Sequence, residues 1–83
     1  MITKRAFKRF VKKIYMEQYK SGFFTLSSEL LGFMITHKLD KYWDVACDVA
    51  NKKFPKTPDE DKLYFEFRFN KFIEFVNEAN ILC

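Results

Sequence analysis

The sequence predicts an all-α chain, a small bundle of three to four helices at about 4–20, 26–37, 40–51 and 58–80, in one domain of residues 1–83. Three observations carry this. Eighty-three residues cannot divide into two bodies that each bury an adequate core. A hydrophobic fraction of 48% with a charged fraction of 31% is a globular balance, not a disordered one. Apolar residues recur three and four apart at Phe7, Phe10, Val11 and Ile14, and again at Phe65, Phe69, Phe72 and Val76, which is the period of a helical face.

The first helix is expected to start after Thr3, a good N-cap, and to stop at Ser21-Gly22, where glycine can take the left-handed conformation. Its basic residues fall in the pairs 4/5, 8/9 and 12/13, opposite the apolar face. The second helix is expected from the hydroxyl-rich start Thr25-Leu26-Ser27-Ser28-Glu29 through Leu30, Leu31, Phe33, Met34 and Ile35. Tyr42, Trp43, Val45, Ala46, Val49 and Ala50 could extend it. At about 100° per residue, however, the two apolar arcs are displaced by roughly 100°, so one straight helix would face two cores. A break at His37 to Leu39 is expected, with Asp40 capping the third helix.

Phe54-Pro55-Lys56-Thr57-Pro58 reads as the linker, and Thr57-Pro58-Asp59-Glu60 as cap, first-turn proline, acid and capping-box glutamate of the last helix. The alternation in Phe65-Glu66-Phe67-Arg68-Phe69 also suits a half-buried strand over Tyr64 to Asn70. The cap before it and the helical spacing after it favour helix. Internal repeats and low-complexity tracts are absent from the sequence.

Charge is concentrated at one end. Residues 1–20 hold seven Lys or Arg against Glu17 alone, while the remainder holds eight against ten, so the net +4 is a near-neutral body with a basic edge. Lys4, Lys8 and Lys12, with Arg5, Arg9 and Lys13, form two i, i+4 rows of like charge that destabilise one another and lie near the unfavourable end of the helix dipole. Tyr15 and Tyr19 stand beside them on the helical wheel. This face is the leading candidate for a partner site, against the plain alternative of a solvated cationic face; an anionic membrane surface or an acidic groove would suit it as well.

Asp40, Asp44 and Asp48 repeat every fourth residue with His37 nearby. Their ends lie about 12 Å apart, too far for one ion, so they read as a solvent-facing acidic side and no metal or cofactor is expected. Cys47 reads as a small core residue and Cys83 as a terminal thiol, in no metal-ligand or disulfide pattern. No phosphate loop, nucleophile elbow or zinc spacing occurs, so no enzyme is expected. With neither an apolar span nor a signal-peptide pattern, a cytoplasmic location is expected.

Aromatics make up 19% of the chain, with eleven Phe. Tyr64, Phe67 and Phe75 form a second apolar edge off the main stripe of the last helix. Because so small a domain buries little more than about 60% of its unfolded surface, these rings are expected to face a protein partner or a second copy. Three functions are in view: a non-enzymatic interaction protein of the accessory or inhibitor type, a nucleic-acid binder using the basic helix, and a site for a nucleotide or small anion between subunits. In brevity and Lys/Asn/Phe content the chain resembles many phage-encoded accessory proteins, without a motif to mark it.

Overall fold

Thr3 holds an extended backbone and its side-chain oxygen accepts from the Ala6 N–H, so the chain enters α1 (Lys4–Ser21) through the expected cap. Gly22 closes the helix at φ 78°, its N–H donating to the Gln18 carbonyl. The computed structural model describes residues 2–22, 24 and 26–83, so Thr25 of the expected second start lies outside it. Within those residues follow α2 (Ser28–Thr36), α3 (Asp40–Lys53) and α4 (Lys62–Glu78), with no strand. The strand alternative for Tyr64 to Asn70 is therefore wrong: that segment is helical.

The second helix is shorter than 26–37 because Ser27 caps it, accepting from the Leu30 N–H, and leaves Leu26 outside. The expected break between the second and third helices is a Schellman turn. The Leu39 N–H donates to the Met34 carbonyl and the Lys38 N–H to the Ile35 carbonyl, with Lys38 left-handed at φ 58°. Met34 and Leu39, both fully buried, supply the apolar pair that accompanies this turn. Asp40 is not the cap. Leu39 occupies that position without a side-chain bond, and Asp40 sits in the first turn, where its charge suits the dipole.

The last helix also starts later than read. Asp61 caps α4 by accepting from the Tyr64 N–H, while Pro58 to Asp61 form a turn closed by the Asp61 N–H on the Pro58 carbonyl. Lys56, left-handed at φ 63°, turns the chain back so that the Phe54 ring lies 6.3 Å from Tyr64 and 5.6 Å from Phe67. A helix begun at Pro58 would lose that return. At the far end α4 stops at Glu78, and Asn80, at φ 55°, redirects the tail. The tail then runs beside the N-terminus: the Lys4 N–H donates to the Cys83 carbonyl and the Cys83 N–H to the Ile2 carbonyl.

The core is built on α4. Phe65, Phe69, Phe72 and Val76 are fully buried. Ala46 and Ala50 of α3 let the α3 and α4 backbones approach closely along their length. Trp43 sets its ring edge-on to both Phe69 and Phe72. Large side chains link α1 to this pair, Phe7 reaching Phe72 at 6.0 Å and Tyr15 reaching Phe69 at 4.9 Å. Phe10 stacks on Phe33 of α2 at 3.7 Å. None of the described Phe residues is exposed, so the core takes up, wholly or in part, the rings that their number alone assigned to a partner or a second copy.

One buried residue of α4 is charged. Arg68 is 5% exposed, with its guanidinium 4.7 Å from the Trp43 ring and 4.9 Å from Tyr64. Its Nη1 donates weakly to Cys47 Sγ at 4.0 Å, and its buried Nε–H has no acceptor. Ring stacking of a desolvated cation gains about 2 kcal/mol, and an unsatisfied buried N–H loses a similar amount. The packing of the stem is then what holds it.

Two stability predictions follow from these contacts. Asp61→Ala should cost about 1 kcal/mol in urea unfolding and Thr57→Ala less than about 0.5; the reverse order would restore Thr57 as the cap. Arg68→Met should stay within about 1 kcal/mol of the parent, while Arg68→Ala loses about 3; equal losses would mean that the charge, not the stem, is what the core needs.

Candidate functional site

The inward arc of α1 is Phe7, Ile14 and Gln18, all buried. A helix docked on that arc must turn Lys4, Arg5, Lys8, Arg9, Lys12 and Lys13 outward, and all six are exposed. Of the six, Lys13 alone has a carboxylate partner among the described residues. Its Nζ pairs with Glu29 of α2 at 2.5 Å, and that carboxylate pushes the Lys13 pKa up by accepting its hydrogen bond. Lys4, Arg5, Lys8, Arg9 and Lys12 have no carboxylate within 4.0 Å among the described residues. The expected acidic stripe does not answer them, since Asp40, Asp44 and Asp48 are exposed on α3 and no ion pair joins that stripe to α1 among the described residues.

Both tyrosines that the helical wheel sets beside the cations are hydrogen-bonded to α4. Tyr15 is half-buried and its hydroxyl donates to Asn70 Oδ1 of α4. Burial, more than the Glu66 charge, pushes its phenol up to about 12. Tyr19, 51% exposed, donates to Glu66 Oε1, with Lys62 Nζ 5.0 Å over its ring. Both serve to fasten α1 to α4. Glu66, half-buried on α4, is thus the acceptor that the sequence reading passed over.

Because α1 meets α4 through long side chains, a groove of about 360 Å³ remains between them. Lys4, Lys8 and Lys12 form its α1 rim, and Asn77 lies on the α4 side. Phe7, Val11, Ile73 and Leu82 give it an apolar lining, and Tyr15 lines it on the side of α1's later turns. A second, larger hollow of about 750 Å³ lies on the outer face of α1 around Met16, which is 62% exposed among Arg9, Lys13 and Lys20. It is walled by α1 side chains alone, with no second element to shape it. The groove has two helices and the tail behind it.

The proposed aromatic edge does not exist as one surface. Tyr64 is 1% exposed and donates its hydroxyl to Asn51 Oδ1, which removes it from any contact face. Phe67 is half-buried, with Lys53 Nζ 4.7 Å and Lys71 Nζ 5.6 Å over its ring. Phe75 is half-buried against the core. Apart from Tyr19, the large apolar side chains exposed among the described residues are aliphatic, Leu26, Leu31, Ile35, Val45 and Leu63, with Met16.

Cys47 is partly buried, and desolvation pushes its thiol up against the opposing pull of Arg68, so it stays protonated at neutral pH. No group of three His, Cys, Asp or Glu among the described residues is placed to hold a metal ion. No helix among them is long and apolar enough to cross a membrane.

The Tyr15 phenol gives a pH readout of the α1–α4 contact. Its folded pKa lies above the unfolded value near 10, so the stabilisation it brings is complete below pH 10 and is lost as pH rises toward about 12. Ultraviolet titration should show one tyrosine ionising last, near pH 12, and Tyr15→Phe should remove that step. A final step that survives in the phenylalanine variant would mean that the buried phenol is another residue's.

Compared with protein-family models, with curated proteins and with solved structures, the chain has no match in any of the three.

Proposed function

We propose that this chain is a non-enzymatic interaction module, of the small accessory or inhibitor type, that presents the cationic face of α1 to an acidic protein surface. The observation that supports it is the pairing of five cations without carboxylate partners with an apolar groove along the same helix. Such a combination suits a protein partner, whose interface joins an apolar centre to a charged rim. Phosphate backbones need only the charge. The rings that would have stacked on bases, Tyr15 and Tyr19, are bonded to α4. The cations would speed encounter and orient the partner more than hold it.

The reading separates from nucleic-acid binding by salt. Five phosphate contacts would weaken binding roughly 500-fold for duplex DNA, and roughly 130-fold for a single strand, between 50 and 200 mM salt. With the immobilised chain at about 150 mM salt, a protein retained from a mixed lysate should survive nuclease treatment and be lost in the Lys8→Glu/Arg9→Glu/Lys12→Glu variant. Retained material that nuclease releases, or DNA or RNA that stays bound at that salt, would overturn the proposal in favour of a nucleic-acid binder.

A further inference from the structure

The groove between α1 and α4 carries a narrower reading, which rests on the function just proposed. We infer that it receives an acidic amphipathic helix, with the partner's apolar side chains entering between Val11 and Ile73 and its carboxylates meeting Lys4, Lys8 and Lys12.

Charge complementarity selects this occupant. The three lysines lie at i, i+4 and i+8 on α1, so their backbone positions are spaced about 6 Å apart along about 12 Å of helix. A partner helix with acidic residues at the same spacing offers one carboxylate per cation. A single lipid headgroup neutralises one end of such a row and leaves the others unanswered. A nucleic-acid strand answers the charge and leaves the apolar lining wet, which costs the hydrophobic gain that the groove offers.

The groove is also built to keep its shape. Tyr15 is held by its hydroxyl on Asn70. Leu82, 9% exposed, belongs to the tail that two backbone hydrogen bonds tie to Ile2 and Lys4. The spacing between the helices is set by buried Phe7 and Ile14 together with half-buried Tyr15. A pre-formed cleft avoids part of the ordering cost of binding, and a volume of about 360 Å³ falls at the small end of the range for ligand sites. Helix-in-groove recognition reads apolar anchors at i, i+3 or i+4, and i+7, and a cleft with one cationic rim adds a preference for acids along one edge.

The test uses a fluorescently labelled synthetic helix with Leu at the anchor positions and Glu at i, i+4 and i+8 beside them, and a scrambled peptide of identical composition. Anisotropy should show the patterned peptide binding about tenfold or more tighter than the scrambled one. Lys4→Glu/Lys8→Glu should weaken it about tenfold or more, and Arg5→Glu/Arg9→Glu, an equal charge change away from the cleft, less than about threefold. Asn77→Trp, at an exposed position on the cleft, should weaken binding about tenfold with no change of charge, circular dichroism confirming the fold.

Equal losses from the two charge reversals, or no effect of Asn77→Trp, would overturn the groove while leaving the basic face as a protein-binding surface. Failure of the patterned peptide to bind would do the same. Tighter binding to phosphatidylserine vesicles than to the peptide would replace the helix with a lipid surface. Failure of the unaltered chain to retain a nuclease-resistant protein in the preceding experiment would instead remove the function itself, so the two failures are distinguishable.

Discussion

The close approach of α3 to α4 is the constraint on which the molecule depends. Ala46 and Ala50 present almost no side chain to α4, so the two backbones come together and Phe65, Phe69 and Phe72 are enclosed. Fully burying a phenylalanine contributes on the order of 2 kcal/mol, so the stripe of three outweighs any single polar contact in the chain. Trp43 crosses Phe69 and Phe72 edge-on and leaves its other side to the Arg68 guanidinium. With that pair formed, the remaining helices have one apolar surface to cover. Helix α2 supplies Leu30 and Met34, and α1 supplies Phe7 and Ile14. The orientation of α1 is thereby decided by its apolar arc, and the cations go wherever that arc does not.

The charge on α1 is not there for the helix's own sake. No acid stands in its first turn, and Lys4, Arg5, Lys8 and Arg9 crowd the end where the dipole disfavours them. Each misplaced charge costs a few tenths of a kcal/mol, and i, i+4 repulsion adds to that. Thr3 offsets part of the sum by capping. The one interhelical ion pair of this face among the described residues, Lys13 with Glu29, is well exposed and so worth little to stability. A structural role explains Lys13 as a clip between α1 and α2. It does not explain the other five.

Much of this was legible in the sequence where a pattern had a geometric cause. The 3, 4 spacing of Phe7, Phe10, Val11 and Ile14 specified α1 and its outward basic face, Thr3 and Gly22 marked its ends, and the angular displacement between residues 26–35 and 42–50 located the break. What could not be read were choices between locally equivalent signals. Thr57 and Asp61 both offer an N-cap, and tertiary packing of Phe54 on Tyr64 and Phe67 selected the second. The left-handed Lys38 has no sequence signature, because glycine is the residue expected there. Arg68 could have been found: it lies four residues after Tyr64 and four before Phe72, inside the apolar arc, where a cation must be buried or the arc broken. A helical wheel sets Tyr15 and Tyr19 beside the cations and does not show that α4 would supply Asn70 and Glu66 to take their hydroxyls. The aromatic count misled most, since it said how many rings there were and not how many would meet one another.

That last error bears on how the molecule can bind. Interface affinity is concentrated in buried aromatic and arginine anchors. Here the described Phe rings are already packed, wholly or in part, against the rest of the chain, and Phe67 is also capped by Lys53 and Lys71. The chain therefore offers a partner little of the usual anchoring material from its own side. It offers a cleft with an apolar lining and a row of cations. In such an arrangement the anchors belong to the partner, and the selectivity of the encounter lies in whether that partner's carboxylates fall in register with Lys4, Lys8 and Lys12 when its apolar side chains reach the floor. A bare anion meets only the first condition and a neutral apolar helix only the second. On the proposal of an acidic amphipathic helix as occupant, discrimination comes from requiring both of one rigid segment, without a hydrogen-bonded pocket.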